Sequence, residues 1–331
     1  MKKLRITKPV AILIVSVIML AMALIIGFHH NPHADAQEEL TKKIIAISII
    51  AVAELAFVLL YNKISVLPKE LWTNRHLIWK LAKNDFKKRY AGSYLGAVWA
   101  MIQPVVTVAM YYVVFDIIMG AGDQTGARQT AIPYVLFLTA GLVPWFYFTE
   151  ALNNGTQALI EYTYLVKKVV FKISILPIIK VIAATFIHVF FVIIMLIIAA
   201  IYGFYPTIYT IQIIYYSACT FIFVLALCYS TCAIMVFFKD IAQIISILLQ
   251  IGMWATPILW NVAAFDPAIQ TYIKINPLVY IVEGYRSSIC EKQWFYQDFY
   301  STMYFWIFTV VLFGIGCLIF KRLKPHFADV L

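Results

Sequence analysis

Charged residues are scarce in this sequence, and acidic residues most of all. Only 13% of the 331 residues are Asp, Glu, Lys or Arg, with 16 acidic against 26 basic side chains. Soluble domains carry about 25% charged and about 45–50% apolar residues, whereas 63% of this chain is hydrophobic. This composition excludes an ordinary cytosolic enzyme, a disordered protein and a nucleic-acid-binding protein, and it indicates a membrane protein.

Three kinds of local motif are also missing. No Gly is followed by Lys, so the sequence has no P-loop for nucleotide phosphates. None of the five cysteines forms a Cys-x-x-Cys pair, which gives no indication of a zinc site or a disulfide framework. The only adjacent acidic residues are Glu38 and Glu39, which argues against the paired carboxylates of a glycosyltransferase. We therefore expect no catalytic residue, metal site or cofactor in this chain.

Long apolar runs are present instead. A helix satisfies its own backbone hydrogen bonds and can therefore cross lipid, and about 18 apolar residues suffice. The sequence predicts eight spans, at residues 10–28, 44–61, 94–119, 132–152, 173–201, 207–238, 241–260 and 302–320. The first run has a basic start, as signal peptides do, but it is longer than the about 7–15 residues of a signal core. We expect it to remain as an uncleaved anchor.

The basic residues give the orientation of these spans. With the N-terminus inside, 20 of the 26 Lys and Arg residues fall in cytosolic segments and the other 6 fall outside. Cytosolic loops are enriched in Lys and Arg. We therefore expect a multi-pass membrane protein with both termini in the cytosol.

A basic segment at residues 68–90 is too polar to cross the membrane. Trp72, Ile78, Ala82 and Phe86 share one face of a helix, and most of its lysines share the other. This pattern is typical of a helix that lies in the membrane surface. A generic juxtamembrane helix attracted to anionic lipid would have the same pattern.

Six short motifs follow one another from this segment to the C-terminus. They are Leu95-Gly96-x-x-Trp99, residues 165–171 with Leu176-Pro177, Phe238-Lys239-Asp240, Thr256-Pro257-Ile258, Asn276-Pro277-Leu278 with Glu283-Gly284-Tyr285-Arg286, and the tail at 320–331. In this order they resemble the membrane (permease) subunit of ABC transporters that export O-antigen, teichoic acid and related lipid-linked polysaccharides. The resemblance begins at about residue 70 and continues to residue 331.

The resemblance implies an all-α polytopic fold. It places an amphipathic interfacial helix at residues 66–92 and a six-span exporter-permease core with external re-entrant helices at residues 93–331. Residues 1–65 add two transmembrane helices that the family usually lacks. The family also implies a homodimer with two copies of a separate ATP-binding subunit, which would hold ATP and Mg²⁺. An ABC permease for a drug or a lipid shares this fold, and a membrane glycosyltransferase or polymerase is the alternative from another class.

The substrate implied by the resemblance is a glycan linked to undecaprenyl diphosphate. Basic residues of the interfacial helix would hold the diphosphate, since Arg forms bidentate phosphate contacts and Lys acts as a point charge. The candidates are Arg75, Lys87, Lys88 and Arg89, with Gly92 and Gly96 allowing a tight backbone turn. The two glycines are also spaced for packing between helices.

Aromatic side chains in the core spans suit a sugar pathway, because sugars stack their C–H faces on rings. The candidates are Tyr111, Tyr112, Trp145, Tyr147, Tyr215, Tyr216 and Trp254. Tyr and Trp also form interfacial belts in any membrane protein, and ordinary packing is a further alternative.

The resemblance assigns two further groups of residues. A coupling helix seated on the ATPase would include Glu161, Tyr164, Lys167, Lys168 and Phe171. An outer gate would include Asn276, Pro277, Glu283, Tyr285 and Arg286. A plain basic loop and an extracellular cap are the respective alternatives. Glu150 and His188 lie within predicted spans, where hydrogen bonding between helices is the expected role.

Overall fold

The fold of the chain is helical throughout most of its length. The computed structural model describes residues 8–28, 36–89, 96–126, 130–167 and 172–331. The chain divides into two units, Met1–Lys69 and Glu70–Leu331. The predicted all-α polytopic fold is confirmed.

The first unit is built on two long apolar helices that pack against each other. They are α1 (Lys8–Phe28) and α2 (Ala36–Ile64), and α3 (Val66–Thr73) follows across the division between the units. Ile26 and Ile50 are buried, while most other apolar side chains of α1 and α2 are exposed. Exposed apolar surface of this extent is what a lipid-facing helix pair requires.

The second unit is centred on α6, which packs against α8 and α9. Its helices are α4 (Arg75–Arg89), α5 (Trp99–Tyr111), α6 (Tyr134–Glu161), α7 (Thr163–Val166), α8 (Leu176–Ile201), α9 (Gln212–Met235), α10 (Ile241–Ala255), α11 (Pro267–Ile273), α12 (Pro277–Arg286), α13 (Phe299–Leu323) and α14 (Phe327–Val330). The close approach of α6 to α9 depends on Gly155, because a Cβ there would overlap Cys228 Sγ. We call the two ends of this unit the α4 end and the α12 end.

Six helical segments of the described residues are long and apolar enough to cross a membrane. They are Glu39–Asn62, Met101–Ile118, Tyr134–Glu161, Ile173–Ile201, Ile208–Met235 and Phe299–His326. Ile12–Phe28 and Ile241–Ala255 are shorter apolar helices. Together they coincide with the eight predicted runs.

The seventh run is the predicted span that the structure shortens most at its C-terminal end. Its helix ends at Ala255 rather than at residue 260, because Thr256 is extended, with φ −97° and ψ 138°. The cause is Pro257, since the ring of a proline disfavours helical backbone at the preceding residue. The chain then continues into two short helices, of which α11 is mostly exposed and α12 is mostly buried.

A pair of two-residue strands was not predicted. Strands β1 (Gln124–Thr125) and β2 (Ala131–Ile132) pair antiparallel between α5 and α6. The side-chain amide of Asn261 donates to the carbonyl of Thr125 at 2.7 Å and so holds this hairpin at the α12 end.

Candidate functional site

A group of charged side chains, the ionic cluster, lies between the C-terminal half of α6, the first turns of α8, and α4. Lys180 Nζ is 2.8 Å from Asp85 Oδ1 and 2.5 Å from Glu161 Oε2. Arg89 Nη1 is 2.6 Å from Glu150 Oε1, and Arg89 Nη2 is 3.8 Å from Asp85 Oδ2. Two cations and three carboxylates therefore join α4, α6 and α8.

Tyr162, at the end of α6, completes the cluster. Its hydroxyl donates to Asp85 Oδ1, and Lys180 Nζ lies 4.9 Å from the centre of its ring. Burial, reinforced by the hydrogen bond to the Asp85 carboxylate, raises the pKa of Tyr162 above its ordinary value. The phenol therefore stays protonated and remains a hydrogen-bond donor to Asp85.

The apolar face of α4 packs on the bundle. Ile78 and Ala82 are buried, and the rings of Trp79 and Phe86 each lie 5.5 Å from the ring of Phe186 on α8. The opposite face is exposed and carries Lys80, Lys83, Lys87 and Lys88. Helix α4 thus has the two predicted faces. Its apolar face packs on α8, and its basic face presents lysines to the outside.

The candidate head-group residues do not gather at one point. Arg75 and Arg89 lie at opposite ends of α4, about 21 Å apart along a helix that rises about 1.5 Å per residue. Arg75 donates to the Trp72 carbonyl at 3.3 Å, whereas Arg89 belongs to the ionic cluster. Lys87 and Lys88, beside Arg89, are exposed. Arg89 and the two lysines therefore form one basic group, and Arg75 stands apart from it.

Of the two candidate glycines, Gly92 lies outside the described residues. Gly96 has φ +55°, the left-handed conformation that only glycine adopts at little cost. No atom of the described chain beyond its sequence neighbours lies within 4 Å of a Cβ built at Gly96. Its role there is to turn the chain into α5, and no helix of the described residues packs closely on it.

A polar cavity of about 400 Å³ opens between α5, α6 and α8, next to the Arg89–Glu150 pair. Its polar lining residues are Gln103, Thr107, Thr149, Glu150, Asn153 and His188. An apolar cavity of about 280 Å³ adjoins it along the same helices, and the two share Phe146 and Phe191. Both lie in helices that are long enough to span the membrane.

The candidate pathway aromatics fall into three environments. Tyr147 lines the polar cavity and Tyr112 lines the apolar one. Trp145, Tyr215 and Tyr216 are engaged inside the protein: Trp145 packs near Gly252, and the Tyr215 hydroxyl lies 3.0 Å from that of Tyr280. A Cβ at Gly284 would clash with Tyr216. Tyr111 is half-buried, and Trp254 is 62% exposed.

The candidate coupling segment begins inside the ionic cluster. Glu161 pairs with Lys180, and the short helix α7 follows directly. Tyr164 and Lys167 are exposed, while Val166 between them is buried. Lys168 and Phe171 lie outside the described residues.

At the α12 end, two of the sequence motifs meet. Asn276 Nδ2 donates to Thr256 Oγ1 at 2.9 Å, and Asn276 Oδ1 caps α12 by accepting from the Leu278 amide at 3.0 Å. Pro277 occupies the first turn of α12, where a proline fits because its missing N–H would have no partner within the helix. The Thr-Pro-Ile turn and the start of α12 are therefore built as one unit.

Arg286 makes the second link between these motifs. It donates to the Ile258 carbonyl at 3.0 Å, to the Phe137 carbonyl at 3.3 Å and to Glu283 Oε1 at 2.7 Å. Its guanidinium lies 3.4 Å from the centre of the Phe137 ring and is only 2% exposed. Arg286 thus fixes α12 to α6 and to the turn after α10.

Tyr285 connects α12 to the middle of the bundle. Its hydroxyl lies 2.6 Å from Ser217 Oγ and 3.0 Å from His188 Nε2. His188 in turn stacks on Tyr147, with ring centres 4.3 Å apart. Hydrogen bonding between helices, the expected role of His188 and Glu150, is confirmed.

Asp85, Tyr162 and Lys180 were not predicted as site residues. Two of them could have been found from the sequence: Asp85 is the only acidic residue of α4, and Lys180 is the only Lys or Arg in the apolar helix α8.

Among the described residues, no group of three His, Cys, Asp or Glu side chains could hold a metal ion.

Comparison with known proteins agrees with this architecture. Residues 76–290 match the family model of the ABC-2 type transporter. An O-antigen export system permease protein RfbA from Myxococcus xanthus is 28% identical over 265 residues, which cover 80% of this chain and 98% of that protein. A Klebsiella pneumoniae protein of the same name is 26% identical over 255 residues, or 76% and 93% of the two chains. The family match covers more than half of the sequence, and the chain therefore belongs to the ABC-2 type transporters.

Proposed function

We propose that this chain is the membrane subunit of an ATP-driven exporter that carries a lipid-linked cell-surface polysaccharide or teichoic acid across the cytoplasmic membrane. The observation that carries the proposal is the correspondence with O-antigen export permeases over 98% of the length of one of them. The substrate would be of the undecaprenyl-diphosphate type. The chain itself would bind no cofactor.

Membership of the family implies that the chain works with an ATP-binding subunit. The sequence supports a separate subunit, because it has no P-loop. In the arrangement that we propose, two copies of the permease form a homodimer, and two ATPase chains bind ATP and Mg²⁺. With the α4 end in the cytosol, Tyr164 and Lys167 face the ATPase, and α12 belongs to an outer gate.

The basic group at the C-terminal end of α4 suits the head group of such a lipid. Lys87 and Lys88 are exposed and available to a phosphate. Arg89 lies beside them and is a quarter exposed, with its charge directed at Glu150. A diphosphate would bind at the two lysines and engage Arg89 at the edge of the ionic cluster.

The function is tested by deleting the gene in the source strain and measuring surface polysaccharide. The proposal predicts loss of the surface polymer, accumulation of the lipid-linked precursor inside, and restoration by the full chain. Unchanged polymer, together with altered drug resistance or lipid distribution, would instead identify a permease for a small molecule. Co-purification of the tagged chain would identify the ATP-binding subunit.

The coupling segment provides a sharper test of the ATPase contact. Lys167→Glu reverses an exposed charge next to α7, and juxtaposed like charges across an interface cost several kcal/mol. We expect the yield of co-purified ATPase to fall at least about tenfold, with normal insertion of the permease. Lys274→Glu, an exposed reversal on the far side of the unit, is the matched control. Equal ATPase yields from both variants would refute the assignment of this segment.

A further inference from the structure

We propose that the polar cavity between α5, α6 and α8 binds a neutral sugar residue of the exported chain, with Gln103, Glu150 and Asn153 as its hydrogen-bonding groups. This inference rests on the proposed function, which it extends by assigning a saccharide site within a single copy of the permease. The cavity volume of about 400 Å³ is in the range of about 300–1,000 Å³ found for small-molecule sites.

Two side-chain amides in the cavity have donors and acceptors without a partner among the described residues, which supports a polar ligand. The side-chain amides of Gln103 and Asn153 make no hydrogen bond to any other described residue, although both lie in membrane-spanning helices and line the cavity. Amides left without a partner in an apolar medium are costly. Gln103 is exposed and Asn153 is half-buried, so both amides can reach a ligand in the cavity. A ligand with both donors and acceptors, as sugar hydroxyls are, would satisfy them.

The charge of the cavity is the second argument. Glu150 is already paired with Arg89 at 2.6 Å, so the charges at the edge of the cavity cancel. An anionic group would enter beside the Glu150 carboxylate, which lines the cavity. A cation would gain little there, because the Glu150 charge is already offset by Arg89. Since charges of like sign repel strongly where the dielectric constant is low, this pair favours a neutral polar ligand over a phosphate or an ammonium group.

A rigid aromatic wall is the third argument. The Tyr147 hydroxyl bonds Thr185 Oγ1 at 2.8 Å, and its ring stacks on His188, so both the position and the tilt of the ring are fixed. A wall that is already fixed needs no ordering when a ligand binds. The Tyr147 ring is only 2% exposed, so it shapes the cavity and offers no open face for stacking. The adjoining apolar cavity lacks comparable hydrogen-bonding groups among the described residues that line it, which places the sugar in the polar one.

Photo-crosslinking in the source strain tests the site whichever sugar the strain exports. The full chain carries p-azidophenylalanine either at Gln103, in the cavity, or at Val189, which is exposed on α8 outside it. We expect a saccharide-positive adduct from position 103 and none from position 189. Adducts at 103 that contain only phospholipid or a second permease chain, or no adduct in a strain that exports normally, would overturn the proposal.

Substitution of Asn153 gives an independent measurement. Asn153→Leu removes one neutral hydrogen bond to the sugar, so we expect export to fall about two- to tenfold at an unchanged protein level, and Asn153→Gln to restore part of it. Gln157→Leu, one turn further along α6 and exposed outside the cavity, is the matched control. Equal export by the two leucine variants would contradict the site. The gene deletion separates the two claims, because retained surface polymer there would refute the function itself.

Discussion

Arg286→Met is expected to lower the free energy of unfolding by about 3–5 kcal/mol, because two buried carbonyls lose hydrogen bonds from a charged donor, worth about 1.5–3 kcal/mol each. Arg286 is 2% exposed and serves three acceptors, the carbonyls of Ile258 and Phe137 and the carboxylate of Glu283. Methionine fills similar space but donates to none of them. The two carbonyls would then be left without this donor, and α12 would lose its connection to α6.

This effect is measured as the shift in thermal unfolding of the purified full chain, and as the yield of monodisperse protein. Arg286→Lys keeps the charge but lacks the planar fork that reaches several acceptors at once, so its stability should be intermediate. Lys274→Met removes an exposed charge at the end of α11 nearby and should leave stability nearly unchanged. A melting temperature for Arg286→Met that matches Lys274→Met would show that the Arg286 contacts do not stabilise the fold.

Much of this fold can be predicted from the sequence, because a helix that crosses lipid needs a long run of apolar residues. A span must be apolar over its length, so the run at 173–201 predicts α8 closely. The run at 132–152 predicts the start of α6, although the helix continues to Glu161. The sequence places the end of α10 too far along the chain, because hydrophobicity alone does not distinguish an apolar turn from an apolar helix. Thr256 and Pro257 continue the apolar run in composition, although their backbone leaves the helix.

The candidate site is harder to predict from the sequence, because its contacts join residues that are far apart along the chain. Asp85 and Lys180 are 95 residues apart, and Arg286 reaches Phe137 across 149 residues. Helical periodicity relates residues three or four positions apart and carries no information on such pairs. Arg89 shows the consequence: the sequence predicts a free phosphate-binding side chain there, whereas the structure pairs it with Glu150.

The ionic cluster gives the second large expected effect. Lys180→Met would leave the buried Asp85 without its closest cation, and it would leave the cluster with one cation for three carboxylates. We expect a loss of about 3–5 kcal/mol in the free energy of unfolding. Lys172→Met, at an exposed lysine just before α8, is the matched control and should be nearly neutral.

A double-mutant cycle with Asp85→Asn shows whether the loss comes from this pair. The Asp85→Asn change puts a neutral amide at this position, so the absence of Lys180 would no longer leave a buried charge behind. Glu161, the other partner of Lys180, is 44% exposed and can be solvated. The double variant should therefore be more stable than the sum of the single effects predicts, by about 0.5–3 kcal/mol, the range found for residues in contact. Strict additivity would mean that Lys180 and Asp85 do not stabilise each other. A coupling in that range would show that the Lys180–Asp85 pair stabilises the packing of α4 against α8. The same pair would then also position the basic group at the C-terminal end of α4.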